Sequence, residues 1–193
     1  EWLKRDQTVV AEAKALLRNH DPRPLFLFVN LMAAHAPYAL SPEVPWSQQH
    51  KTRFSGASAE GWVGTYSADR IPPALALNQR PSSEAATGEE AFAKGTLKLD
   101  ADDLGFIRDL YDGELLRLDR AMVELIGVWN SSGHADGIVA VTSDHGEYLG
   151  EHGLIGHGVR AFDEVTHVPL VIAAPTRLKG GRRVATPVQL ADL

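Results

Sequence analysis

An α/β domain, with a mainly parallel sheet sandwiched between helices, is the architecture this sequence predicts. Three observations carry that expectation. Two stretches place apolar residues at helical spacing, and three short apolar runs have the length of buried strands. The third is that two of those runs lead straight into polar clusters. In open α/β sheets the ligand crevice lies beyond the carboxyl ends of the strands, so the same pattern that predicts the fold also predicts where a site sits.

The elements follow in order. Residues 7–19 read as an amphipathic helix, with Val9, Val10, Ala13, Leu16 and Leu17 on one side. Asp21-Pro22-Arg23-Pro24 breaks it. Residues 25–31 (Leu-Phe-Leu-Phe-Val-Asn-Leu) form a continuous apolar run, suited to a strand covered on both faces, as in a parallel sheet. From about residue 41 to 98 the periodicity disappears among prolines, serines and glycines, which predicts an irregular insertion. Trp46, Trp62 and Tyr66 within it are expected to pin the loop to the body rather than to floor a substrate pocket. Order returns at residue 102. Leu104, Ile107, Tyr111, Leu115, Leu118, Met122, Leu125 and Trp129 make one apolar stripe on a helix of about seven turns. Asp102 and Asp103 suit its positive end, and Ser131-Ser132-Gly133 stops it. Residues 138–142 and 168–173 are the second and third strands, with Pro169 at the start of the last, where a missing donor is tolerated. Strands 25–31 and 138–142 are expected to run parallel.

Composition narrows the function classes. The chain has 193 residues, of which 44% are hydrophobic and 23% charged, the balance of a folded globular protein. A net charge of −6 gives no support to a nucleic-acid partner or an anionic membrane surface. There are no cysteines, which excludes disulfides, thiolate metal sites and a cysteine nucleophile within these residues. No apolar run approaches the roughly 18 residues that span a membrane. The opening Glu1-Trp2 without methionine and the closing run Val188 to Leu193 predict a piece of a longer protein.

The chemistry gathers behind two strands. The first leads to His35-Ala36-Pro37-Tyr38, and the second to Ser143-Asp144-His145-Gly146-Glu147. Asp144 and His145 offer a carboxylate oxygen and an imidazole nitrogen to one cation, although the pair equally reads as a strand-ending turn in which Asp144 caps backbone donors. Eight histidines occur in the chain, and His145, His152 and His157 fall close together in a glycine-rich loop. Histidine titrates near neutrality and so can protonate a leaving oxygen. His157 is taken as a functional residue on this ground, and His152 as a solvated loop residue.

These residues, in this order, resemble the sulfatase family of the alkaline phosphatase superfamily. The resemblance rests on Ser143 to Glu147, on Gly150-Glu151-His152-Gly153-Leu154-Ile155-Gly156-His157-Gly158, on Phe162 to Val165 and on His167-Val168-Pro169-Leu170. Residues 24–38 resemble the family's strand and His-x-Pro-Tyr segment, and Tyr111-Asp112-Gly113-Glu114 through Asp119 its long helix. The resemblance implies an incomplete alkaline phosphatase-like fold, with residues 1–193 a partial catalytic domain. It implies that Asp144 and His145 are ligands of a divalent cation, usually calcium. It gives His35 and His157 to the ester anion and the leaving oxygen, and sulfate esters of small molecules or glycans as substrates. Where many arylsulfatases carry lysine, this chain has His157, whose charge depends on pH as lysine's does not. The family's nucleophile is a formylglycine made from Cys or Ser ahead of Pro and Arg, with an upstream Asp pair completing the metal set. That motif does not occur here, so residues 1–193 alone are expected to be inactive. A phosphate or phosphonate ester hydrolase, or a phosphoryl-headgroup transferase, fits the same residues. A non-catalytic binding module is the alternative of another class.

Overall fold

The computed structural model describes residues 2–19, 23–35, 38, 99–157 and 160–193. The insertion expected at about 41–98, with its three aromatic residues, lies outside the described residues. Helix α1 (Trp2–Asn19) begins earlier than its apolar pattern announces and buries Asp6, Val10, Ala13 and Leu17, one face at alternating spacings of four and three. It packs along helix α2 (Ala101–Trp129), with Lys14 reaching Glu124 at 2.7 Å.

A capping box starts α2. The Asp100 carboxylate accepts from Asp103 N at 2.8 Å, and the Asp103 carboxylate accepts in return from Asp100 N at 3.3 Å. Each satisfies a backbone donor that the first turn leaves over, and such a cap is worth on the order of 1 kcal/mol. Along α2 the buried residues are Asp103, Phe106, Ile107, Leu110, Gly113 and Glu114. Of the stripe's second half Leu115 is exposed, and Leu118, Met122, Leu125 and Trp129 are only partly buried. The predicted stripe is therefore deeply covered only in its first half. Phe106, Ile107 and Leu110 join Tyr38 and Ile155 as the core, flanked by Leu99, Leu104, Tyr111 and Leu149. Full burial of each such side chain contributes about 1.5–3 kcal/mol. The helix ends as foreseen: Gly133 takes a positive φ of 87° and Gly137 turns beneath the Trp129 ring.

The strands differ from the expectation. Strand β1 (Val139–Thr142) pairs antiparallel with β4 (Leu170–Ala173), Val139 opposite Ala173 and Thr142 opposite Leu170. Between them lie a short antiparallel pair, β2 (Tyr148–Leu149) with β3 (Ile155–Gly156), and a single helical turn, α3 (Asp163–Thr166). Among the described residues no strands pair in parallel. Residues 25–31 belong to neither sheet, and their side chains alternate in exposure, with Phe26 at 91% and Phe28 at 78%. The expected parallel pairing of this segment with 138–142, covered on both faces, is not formed among the described residues. An apolar run specifies a strand without specifying the direction of its neighbour, and β4 lies close enough along the chain to close on β1 first.

One tertiary lock joins α2 to the loop after β2. Arg108 bonds Glu151 at 3.2 Å, and the other Glu151 oxygen accepts from Leu149 N at 2.6 Å. Burial pushes the Glu151 carboxyl up, but hydrogen bonds from backbone N–H groups and the Arg108 guanidinium outweigh it and hold the group below its ordinary value of 4.5. A depressed carboxyl stabilises the fold above its unfolded-state pKa, and that stability is lost as pH falls through the folded-state value. Melting curves should therefore show native protein more stable than Glu151→Gln at neutral pH. The difference should close as pH drops below about 4.3, the usual unfolded glutamate value. A gap that persists in acid would assign Glu151 to packing instead of charge. No helix among the described residues is long and apolar enough to cross a membrane.

Candidate active site

The turn after β1 presents two of the predicted residues. Ser143 Oγ donates to His145 O at 2.5 Å, and Asp144 Oδ1 accepts from His145 N at 3.1 Å, which fixes the turn locally. His145 Nδ1 lies 2.8 Å from Gly146 O. A carbonyl only accepts, so Nδ1 carries the proton and Nε2 keeps its lone pair. That Nε2 stands 3.8 Å from Asp144 Oδ1, and the Asp144 side chain is 87% exposed. One oxygen and one nitrogen donor are thereby held on a single turn with their lone pairs open to a cation. Among the described residues no group of three or more metal-binding side chains forms, so these two fit a divalent ion only as part of its ligand set.

Gly146 makes the turn possible by close approach. Its N–H donates to Val165 O at 2.7 Å, and a Cβ there would lie 2.0 Å from Glu164 O. The backbone of α3 thus lies directly against the turn that carries Asp144 and His145.

His35 and His157 arrive from separate segments. Met32 N donates to both oxygens of the buried Asp6 carboxylate at 2.9 Å, and His35 N donates to Met32 O at 2.9 Å, so α1 anchors the turn that carries His35. His157 follows β3. Its ring lies against His145, with centroids 4.0 Å apart, and meets His35 edge-on at 5.3 Å. Three imidazoles, with His35 coming from a segment far from the other two in sequence, therefore gather at one place with Asp144 beside them. His152 does not join them. It takes a left-handed φ of 55°, stacks on Phe162 at 4.2 Å and contacts the Glu164 carboxylate at 3.1 Å. The expected solvated residue is exposed, yet it is tied to the start of α3.

Two residues of the site had no role in the sequence reading. Glu147 has a side chain only 5% exposed, and its Oε1 lies 2.9 Å from His157 Nδ1. Its Oε2 accepts from Tyr38 Oη at 2.7 Å. Tyr38 in turn packs edge-on against Tyr111 at 5.4 Å. Burial, then the Glu147 and Asp112 charges, raise the Tyr111 hydroxyl above its ordinary value of 10.0. Both Glu147 and Tyr38 stand inside the motifs quoted above, one directly after Gly146 and one at the end of His-x-Pro-Tyr. That position was the available signal.

The Sulfatase family model matches residues 2–193, and the chain belongs to the sulfatase family, whose members act on sulfate esters within an alkaline phosphatase-like α/β fold. A particular relative is the uncharacterized sulfatase YidJ of Escherichia coli (strain K12). It is 48% identical over 56 residues, which are 28% of this chain and 11% of that protein. The match thus spans about a tenth of the relative's length.

Proposed function

We propose that these residues form the metal-binding and leaving-group side of a sulfatase active site that hydrolyses sulfate esters of small molecules or glycans. The observation that carries the reading is the meeting of His35, His145 and His157 beside Asp144. Asp144 and His145 Nε2 would hold the divalent ion, with further ligands and a formylglycine nucleophile supplied from outside residues 1–193. The bound ion supplies neutralisation of the ester's charge and orientation of the nucleophile. Calcium is the ion the family resemblance implies, and an imidazole donor also suits manganese or zinc. His35 and His157 bind the ester anion and deliver a proton to the alcohol oxygen as its bond to sulfur breaks, so the electron pair leaves as a neutral alcohol. The same reading places residues 25–31 in a mainly parallel sheet between helices. The exposure of Phe26 and Phe28, apolar side chains that such a layer would cover, supports it.

The test is hydrolysis of 4-nitrophenyl sulfate, and of the matching phosphate diester and phosphonate, by the complete protein that contains this sequence. Turnover of the sulfate should vanish on chelation and return with added Ca2+, Mn2+ or Zn2+, while residues 1–193 alone stay inactive. Preference for a phosphate or phosphonate ester would move the reading to phosphoryl chemistry. No turnover of any ester would make the chain a binding module.

A further inference from the structure

The contact of Glu147 with His157 has no part in the chemistry assigned so far. Glu147 is a carboxylate withdrawn from solvent, with one oxygen on His157 Nδ1 and the other on the Tyr38 hydroxyl. A carboxylate held by two such contacts cannot rotate without losing one of them. Tyr38 is itself buried in the core with Phe106, Ile107, Leu110 and Ile155, so the chain of contacts runs from the rigid interior to the imidazole. An ionised carboxylate only accepts hydrogen bonds. Its partner nitrogen on His157 must therefore carry the proton, and Nε2 becomes the nitrogen left for a ligand.

We infer that Glu147, braced by Tyr38, is a positioning residue that fixes the ring orientation and tautomer of His157 so that Nε2 faces the ester. This rests on the proposed role of His157 and deepens it. As the incoming nucleophile's oxygen bonds to sulfur and the bond from sulfur to the alcohol oxygen breaks, that bond's electron pair goes to the alcohol oxygen, which takes the proton from His157 Nε2–H. The ring is left neutral with its remaining proton on Nδ1, still bonded to Glu147. The arrangement replaces the reach of a flexible lysine with an imidazole aimed by the fold. A lysine needs no such partner, because its ammonium carries three equivalent donors. A histidine has two different nitrogens, and which of them faces the ligand is set by what the other one touches.

Two measurements test the inference, and the first is independent of any activity. Long-range 1H–15N spectra of the histidine side chains, recorded at about pH 8.5 where an ordinary imidazole is neutral, should show His157 as the Nδ1–H form. Glu147→Ala should release it to a mixture, and Glu147→Asp should restore part of the native signal. Finding His157 mainly as the Nε2–H form in the native protein would overturn the inference. So would an unchanged tautomer in a folded Glu147→Ala variant. If that variant does not fold, the native tautomer and the Asp variant decide the matter.

The second measurement uses the complete protein with sulfate esters of a poor and an activated leaving group. Glu147→Ala should lower kcat for the poor leaving group on the order of 10- to 100-fold, the usual cost of losing an outer partner of a functional histidine. KM and the activated substrate should change little. An equal loss with both substrates would make Glu147 a structural residue and overturn the inference. A protein that turns over neither substrate refutes the proposed reaction, while the tautomer measurement still decides the role of Glu147.

Discussion

In the complete protein, His145→Ala should remove metal-dependent hydrolysis almost entirely, by about 10³-fold or more in kcat/KM. The magnitude follows from the several kcal/mol that a bound cation contributes to the transition state, at 1.36 kcal/mol for each factor of ten. His145 is one of the two donors on the turn after β1, and its Nδ1 is already committed to Gly146 O, so no neighbouring nitrogen replaces the lost Nε2. Calorimetric titration with the divalent ion should show weakened binding in parallel with the loss of rate. His152→Ala is the control. That ring stacks on Phe162 away from the three gathered imidazoles, and its loss should leave metal affinity at the native level. Native affinity and turnover in His145→Ala would remove the metal role from this turn.

The second large effect concerns stability. Gly146→Ala should destabilise the chain by more than about 3 kcal/mol, the upper end of ordinary overpacking. The added methyl would meet the backbone oxygen of Glu164 at 2.0 Å, and a backbone atom cannot swing aside as a side chain does. Relief requires separating the turn from α3, which breaks the bond from Gly146 N to Val165 O. For a chain of this size the melting temperature should fall on the order of 10 °C. Gly153→Ala provides the comparison, because its Cβ position is open although its φ of 69° disfavours a side chain. It should cost about 1 kcal/mol, the usual penalty of a left-handed φ for a residue with a Cβ. Equal melting temperatures for the two variants would mean that the contact with Glu164 yields easily.

The sequence and the structure agree where local physics decides and part where distance does. The periodic apolar residues from Leu104 to Trp129 announce α2 because a helix repeats its own geometry. The same pattern says nothing of what covers each turn, and Leu115 ends up exposed. Residues 138–142 and 168–173 read correctly as strands, since β-branched runs of that length have few alternatives. Their antiparallel pairing was not legible, because neighbours in a sheet are chosen by closure of the chain between them. Asp144 and His145 were legible as adjacent donors. The contact between Glu147 and His157 was not, because it depends on the short antiparallel pairing of β2 with β3, which sets Tyr148 opposite Gly156 and has no apolar run long enough to announce it.

The hairpin-like closure of β1 on β4 bears on how this region can vary. Thr142 Oγ1 donates to Pro169 O at 2.8 Å across 27 residues of chain, so the whole excursion carrying His145, Glu147 and His157 is pinched shut at its base. The entropy of closing such an excursion grows only with the logarithm of its length, and even a doubling costs about 0.6 kcal/mol. The closure entropy itself therefore hardly depends on the length of the excursion, and what fixes the loop is its packing, with Tyr148, Leu154 and Ile155 buried and Gly146 held against α3.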